Sequence, residues 1–234
     1  MKMQAPQCSY TAAYKIIRQK IMYGTFQPNT KLRLSTVATS LNMSPTPVRE
    51  ALSRLSQEGF IETRQQRGFY VRSLSLENLS ELYALMKLYA QFIIARIHDR
   101  DDLPKLVDPI RKVFNPASPI ETARQFEDLH FLMTSCADSP IAAQNLIVLM
   151  RRSHFVRLIE YNDPVRFKAL SQISHQIADT AQNNDLRGTT DHVATYFDVR
   201  QNWLPALVEG TRLVRKHLDT YLLPQPGEIH ANGI

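Results

Sequence analysis

LSTVATSLNMSPTPVREALSRLSQEGFIETRQQRGFYV, residues 34–71, decides how the rest of the chain is read. Val37, Ala38 and Leu41 recur at helical spacing, and so do Val48, Leu52 and Leu55. Between the two stripes Asn42-Met43-Ser44-Pro45 supplies a turn, and Ser44 is placed to cap a helix whose first position is Pro45. Gly59 stops that helix. Phe60-Ile61-Glu62-Thr63 and Gly68-Phe69-Tyr70-Val71 then alternate as paired strands around Arg64-Gln65-Gln66-Arg67. Helix, tight turn, helix and hairpin make a winged helix-turn-helix, whose second helix enters a major groove. DNA binding is the first function class the sequence implies.

Charge points the same way. Residues 1–74 carry 11 Lys+Arg against 3 Asp+Glu, and the remainder carries 17 against 19. Basicity confined to the suspected DNA-binding segment is an electrostatic footprint for nucleic acid rather than general alkalinity. Two cysteines, Cys8 and Cys136, suggest a reduced compartment without a disulfide framework. No apolar run approaches the ~18 residues of a membrane span, and no signal-peptide core stands at the start. A soluble, cytoplasmic protein is expected.

Outward from the motif, residues 1–9 read as a flexible leader. Tyr10 to Tyr23 forms a helix with Ala13, Ile16, Ile17 and Ile21 on one stripe, ended by Gly24. Lys31-Leu32 is a short strand, and the head spans 10–73. After residue 76 only helical patterns appear. The first covers 76–99, with Leu79, Leu82, Leu85, Met86, Tyr89, Ile93 and Ile97 on its apolar side. Others follow from Pro104 to Phe114, Ile120 to Ala137, Pro140 to Tyr161, Pro164 to Asn183, Thr189 to Trp203 and Pro205 to Leu223, with Gly188 and Pro205 as breaks. The fold class is mainly α: a winged helix-turn-helix followed by a bundle of six or seven helices over 76–223, with 224–234 as a flexible tail.

The run Ser44-Pro45-Thr46-Pro47-Val48-Arg49-Glu50-Ala51-Leu52, with Leu55, Gly59-Phe60-Ile61 and Arg67-Gly68-Phe69-Tyr70-Val71, resembles the GntR family of bacterial transcription regulators. That likeness covers the first third of the chain. The helix count, Glu81-Leu82-Tyr83, Asp138-Ser139-Pro140, Ser174-His175 and Asn184-Asp185 resemble the helical effector domain, often called FCD, of its FadR subgroup. The resemblance implies a homodimer on a palindromic operator. It also implies a small-molecule effector in the helical domain that alters DNA affinity.

Seven residues are candidates for DNA contact. Arg49, one turn after Pro45, can fork onto a guanine edge, and the resemblance places an operator contact there; the alternative is an ion pair with Glu50 or Glu58. Ser44 and Thr46 sit at a helix N-terminus that suits phosphate. Arg67 and Gly68 form the wing tip, and Ser35 and Thr36 open the first motif helix. Arg33, Arg54 and Arg64 add general attraction to the backbone. Where family members often carry Arg, this chain has Pro45, so the resemblance implies a different operator preference.

Many members of the subgroup bind a divalent metal through one Asp and three His. By that resemblance His130 and His175 match two ligands, while Phe126 stands where the Asp would be and Tyr196 or Phe197 where the last His would be. His192 becomes a third ligand only if its helix slides by a turn. Two imidazoles alone hold a borderline cation weakly, so a zinc, nickel or manganese ion is disfavoured as cofactor. Met86 and Ala90 replace further charged family positions. A pocket of Met86, Ala90, Phe126, His130, Arg151, Arg152, His175, Tyr196 and Phe197 therefore suggests a more apolar or aromatic ligand with a polar end. The alternative is that these side chains fill the core and no effector binds. No nucleophile–base motif or phosphate-cradling glycine loop argues for an enzyme.

Overall fold

A computed structural model describes residues 7–114 and 118–214, with side chains for 10–114 and 118–209. The chain divides into two compact units after Leu74, the second running from Ser75 to Arg212. The leader expected over 1–9 and the tail over 224–234 lie partly or wholly outside the described residues, as does Asn115-Pro116-Ala117.

The head begins with helix α1, Gln7–Met22, which starts inside the segment expected to be leader. Strand β1 (Lys31–Leu32), α2 (Leu34–Ser40), α3 (Pro45–Gln57), β2 (Ile61–Arg64) and β3 (Gly68–Val71) follow. The sheet order is β1-β3-β2, antiparallel, with Lys31 opposite Tyr70 and Ile61 opposite Val71. Its core is what the periodicity requires: Ile17, Val48, Leu52, Leu55 and Ile61 are fully buried. Removing each such side chain from water stabilises the unit by roughly 1.5–3 kcal/mol. Gly59, at φ +80°, takes the left-handed turn that ends α3.

The second unit is all-helical in its described residues. It comprises α4 (Leu76–His98), a 3₁₀ turn (Leu103–Leu106), α5 (Val107–Val113), α6 (Pro119–Cys136), α7 (Pro140–Tyr161), α8 (Pro164–Gln182) and α9 (Leu186–Val214). Side-chain caps fix four helix starts: Ser75 accepts from Asn78 N–H, Ser118 from Glu121 N–H, Asp163 from Val165 and Arg166 N–H, and Asp185 from Gly188 N–H. α7 packs against α4 and α6, and α5 against α8. None of the described helices is long and apolar enough to cross a membrane.

Two expectations need correction. Gly188 and Pro205 do not break the chain into separate helices, because α9 runs through both. Gly188 lies in the first turn, where Asp185 Oδ1 accepts its N–H at 3.0 Å. A Cβ there would meet Asp185 Oδ2 at 2.4 Å, so the glycine marks a tight cap. Pro205 costs α9 one backbone hydrogen bond, but Arg200, Leu204, Leu207 and Val208 are buried around it. Packing on both sides of the proline holds the helix together. The second correction concerns α4: Leu85 is exposed rather than internal, while Tyr83 and Ile94 take core positions.

Candidate nucleic-acid interface and effector cavity

On α3 the buried residues Val48, Ala51, Leu52 and Leu55 fix which side faces outward. Thr46 and Arg49 stand exposed on that outer side, after Ser44 at the cap. Ser44 adopts the extended cap backbone (φ −71°, ψ 158°), yet its hydroxyl makes no cap hydrogen bond. Pro45 and Pro47 carry no N–H, so the Thr46 N–H and the Ser44 hydroxyl are the donors the helix start leaves uncommitted.

Arg49 makes no ion pair or hydrogen bond among the described residues. The pair with Glu58 is pre-empted: Arg54 Nε donates to Glu58 Oε1 at 2.9 Å and Tyr14 OH donates to Oε2 at 2.6 Å. Arg54 also stacks 4.4 Å from the Tyr14 ring centroid and donates to Tyr10 OH. It is thus a clamp between α3 and α1 more than a loose cation for DNA. Arg64 is held similarly, donating to Glu62 at 2.6 Å and Asn29 at 3.0 Å while lying 4.1 Å from the Tyr70 ring centroid. The cations left outward and without an ion pair among the described residues include Arg33, Arg49 and Arg67.

Arg67 occupies the wing tip between Gln66 (φ +58°) and Gly68 (φ +89°). A Cβ at Gly68 would meet nothing within 4 Å, so its requirement is backbone conformation rather than space. Ser35 and Thr36 are exposed in the first turn of α2.

In the helical unit, Ala90, Phe126, His130, Tyr196 and Phe197 line one apolar cavity of about 50 Å³. Met86, Arg151, Arg152 and His175 do not line it. Met86 is buried with its Sδ 3.6 Å from Ser153 Oγ, and Arg151 and Arg152 are half-buried on α7. The buried stripe of α8 passes through Leu170, Ser174, Ile177 and Ala181. His175, one position on, therefore turns to solvent, where its Nδ1 meets the Ser171 carbonyl at 2.7 Å. Ser174 takes the place in the wall.

The residues present do not fit a metal. Phe126 puts a ring 4.2 Å from the His130 ring centroid, where a carboxylate would be needed, and Tyr196 stacks 6.0 Å beyond it. Among the described residues no three His, Cys, Asp or Glu side chains converge on a metal-sized site. His130 Nδ1 lies 2.8 Å from the Phe126 carbonyl oxygen. A carbonyl only accepts, so Nδ1 carries the proton and Nε2 keeps a lone pair. Burial pushes the His130 pKa down to about 4 against the opposing pull of that hydrogen bond, and the charges of Arg157 and Arg200 act with burial. The ring is neutral near pH 7.

Behind Phe126 lies a polar cluster that the sequence reading misses. Arg200 and Glu160 are both fully buried and directly paired. Arg200 Nε also donates to Glu160 Oε2 at 3.0 Å, and Tyr83 OH donates to Oε1 at 3.2 Å. Arg157, also fully buried, donates to the Met150 carbonyl, Ser153 Oγ and Glu127 Oε1. Burial alone would raise the Glu127 carboxyl, but His154 and Arg157 outweigh it and hold it at about 2. Both guanidiniums face the Phe126 ring, Arg157 Cζ at 5.1 Å and Arg200 Cζ at 5.6 Å from its centroid. A signal for them exists. Arg157 and Glu160 continue the α7 stripe of Leu146, Met150 and Ser153, and Arg200 sits between Phe197 and Leu204 on that of α9.

Residues 9–71 match the family described as bacterial regulatory proteins, gntR family. The head is a GntR-type helix-turn-helix domain, and the class it defines is that of DNA-binding transcription regulators. The chain is similar to the HTH-type transcriptional regulator YdhC of Bacillus subtilis strain 168, at 22% identity over 84% of this chain and 91% of that protein. It is also similar to the HTH-type transcriptional repressor RspR of Escherichia coli K12, at 40% identity over 63 residues, 27% of this chain and 28% of RspR. Among solved structures it shares a fold with E. coli McbR/YncC, with a TM-score of 0.64 at 17% identity, covering 87% of this chain and 99% of that one.

Proposed function

We propose that the protein acts as a homodimer on a palindromic operator, and that a small molecule held in the helical unit alters its operator affinity. The observation that carries this reading is Arg49. It is an exposed, uncommitted guanidinium on the outward side of α3, beside two free hydroxyls, in a head that ties Arg54 and Arg64 down internally. The FadR-type assignment of the helical unit rests on the sequence resemblance together with the cavity.

A mobility-shift assay on the DNA upstream of the protein's own gene and neighbouring operons tests the reading. Retardation that survives unspecific competitor, with a two-fold symmetric footprint and an affinity that falls steeply with salt, is the expected result. Binding no tighter than to random DNA overturns it.

The dimer has a candidate surface of its own. Leu85, Leu88 and Phe92 are 38%, 62% and 51% exposed on α4 at helical spacing, an apolar strip a soluble monomer rarely leaves open. Leu88→Glu combined with Phe92→Glu is expected to convert a dimer to monomer in sedimentation velocity. A wild-type protein that sediments as a monomer at micromolar concentration sinks this part. A second reading, DNA binding without an effector, is favoured by one observation: the rings of Phe126, Tyr196 and Phe197 leave only about 50 Å³.

A further inference from the structure

We propose that the cavity takes a small uncharged ligand, chiefly apolar and no larger than one ring, which donates a single hydrogen bond to Nε2 of His130 with no metal between them. This rests on the effector reading above and specifies what that effector is.

The wall is rings and aliphatic side chains, with Phe114, Phe126, Tyr196 and Phe197 arranged edge-on or stacked around it. No charged side chain lines it, so a carboxylate or an amine would enter without a counter-ion, and that desolvation is prohibitive. The nearest guanidiniums cannot serve: Arg157 and Arg200 sit behind Phe126 and are neutralised by Glu127 and Glu160.

Four side chains with polar atoms stand in the apolar wall: His130, Ser174, Thr189 and Tyr196. His130 is 4% exposed; its Nδ1–H is spent on the Phe126 carbonyl, so Nε2 has only a lone pair to offer and no hydrogen-bond partner among the described residues. Ser174, also 4% exposed, has no side-chain partner among them either. The Thr189 hydroxyl donates to the Asp185 carbonyl at 2.6 Å, while the Tyr196 hydroxyl is buried without a hydrogen-bond partner among the described residues. A bare acceptor in an apolar hole selects an O–H or N–H donor, and a pure hydrocarbon would leave it unpaired.

Size sets the upper limit. A cavity of about 50 Å³ holds the equivalent of a few waters, at roughly 10–15 Å³ each. One ring fits if Met133, an unbranched and adaptable side chain in the wall, changes rotamer.

The test uses the full-length protein, titrated calorimetrically with phenol, toluene, benzoate and zinc at pH 7, in wild type and His130→Leu. Phenol and toluene are expected to bind and benzoate and zinc are not. The ratio of phenol to toluene affinity is expected to fall about tenfold in His130→Leu, the change that isolates one hydrogen bond from general apolar burial. A wild-type measurement guards against a misfolded variant: with ¹⁵N-labelled histidine, the His130 Nε2 resonance shifts on adding phenol and stays in place on adding toluene. An unchanged ratio with an unmoved resonance, preference for benzoate, or stoichiometric zinc binding overturns the proposal. So does binding of none of the four. If the same preparation still retains operator DNA, the regulator reading survives that failure; ligand binding without DNA retention shows the reverse.

Discussion

Arg200→Leu is expected to destabilise the helical unit by about 3–5 kcal/mol. The substitution leaves the Glu160 carboxylate fully buried, without its cation and with only Tyr83 OH as a partner. The isolated charge costs far more than the lost pair contributed, because the surroundings offer no water to solvate it. Arg200→Leu together with Glu160→Leu removes both charges and is expected to recover most of the loss, leaving Tyr83 OH as the remaining unpaired group. The readout is built in. The chain has one tryptophan, Trp203, and it sits on α9 with the Arg166 guanidinium 5.9 Å from its ring, so fluorescence during urea unfolding reports the helical unit alone. A single variant as stable as wild type, or a double variant no better than the single, sinks the argument.

Arg49→Ala is expected to weaken operator binding by roughly 1–3 kcal/mol per half-site, and to do so selectively. A guanidinium on a base edge contributes discrimination, so affinity for the operator and for a version mutated at the contacted base pair should converge. Arg67→Ala, at the wing tip, is the contrasting variant. As a backbone or minor-groove contact it should weaken all sequences more evenly and reduce the salt slope by about one. Competition shifts at two salt concentrations separate the two patterns. Equal weakening of all sequences by Arg49→Ala would reassign it to phosphate.

The head is legible in the sequence because each of its elements carries its own local signal. Pro45 after Ser44, the Val48–Leu52–Leu55 stripe, Gly59 and the alternating hairpin each restrict the backbone before any tertiary contact is considered. The cavity is half legible. Phe126, His130 and Tyr196 lie on stripes that periodicity can find, whereas choosing His175 over Ser174 is a one-residue error, which on a helix is a turn of about 100°. Arg200 and Glu160 escape because a charged residue on an apolar stripe reads as an interruption until its partner, 40 positions away, is seen in space. Pro205 misleads for a related reason: a local rule marks a helix end, and packing on both sides of it prevails.

The position of Phe126 limits how this cavity can change. Its ring sits against both Arg157 and Arg200. An aspartate placed there would not by itself make a metal site, because it would stand beside His130 with no further ligand among the described residues converging on it. His175 would still face solvent, and Tyr196 would still stand opposite. A metal site in this wall thus needs several substitutions at once. Arg157 and Arg200 behind the ring are each already paired with a carboxylate, so a carboxylate in place of Phe126 would add an uncompensated charge to an apolar wall.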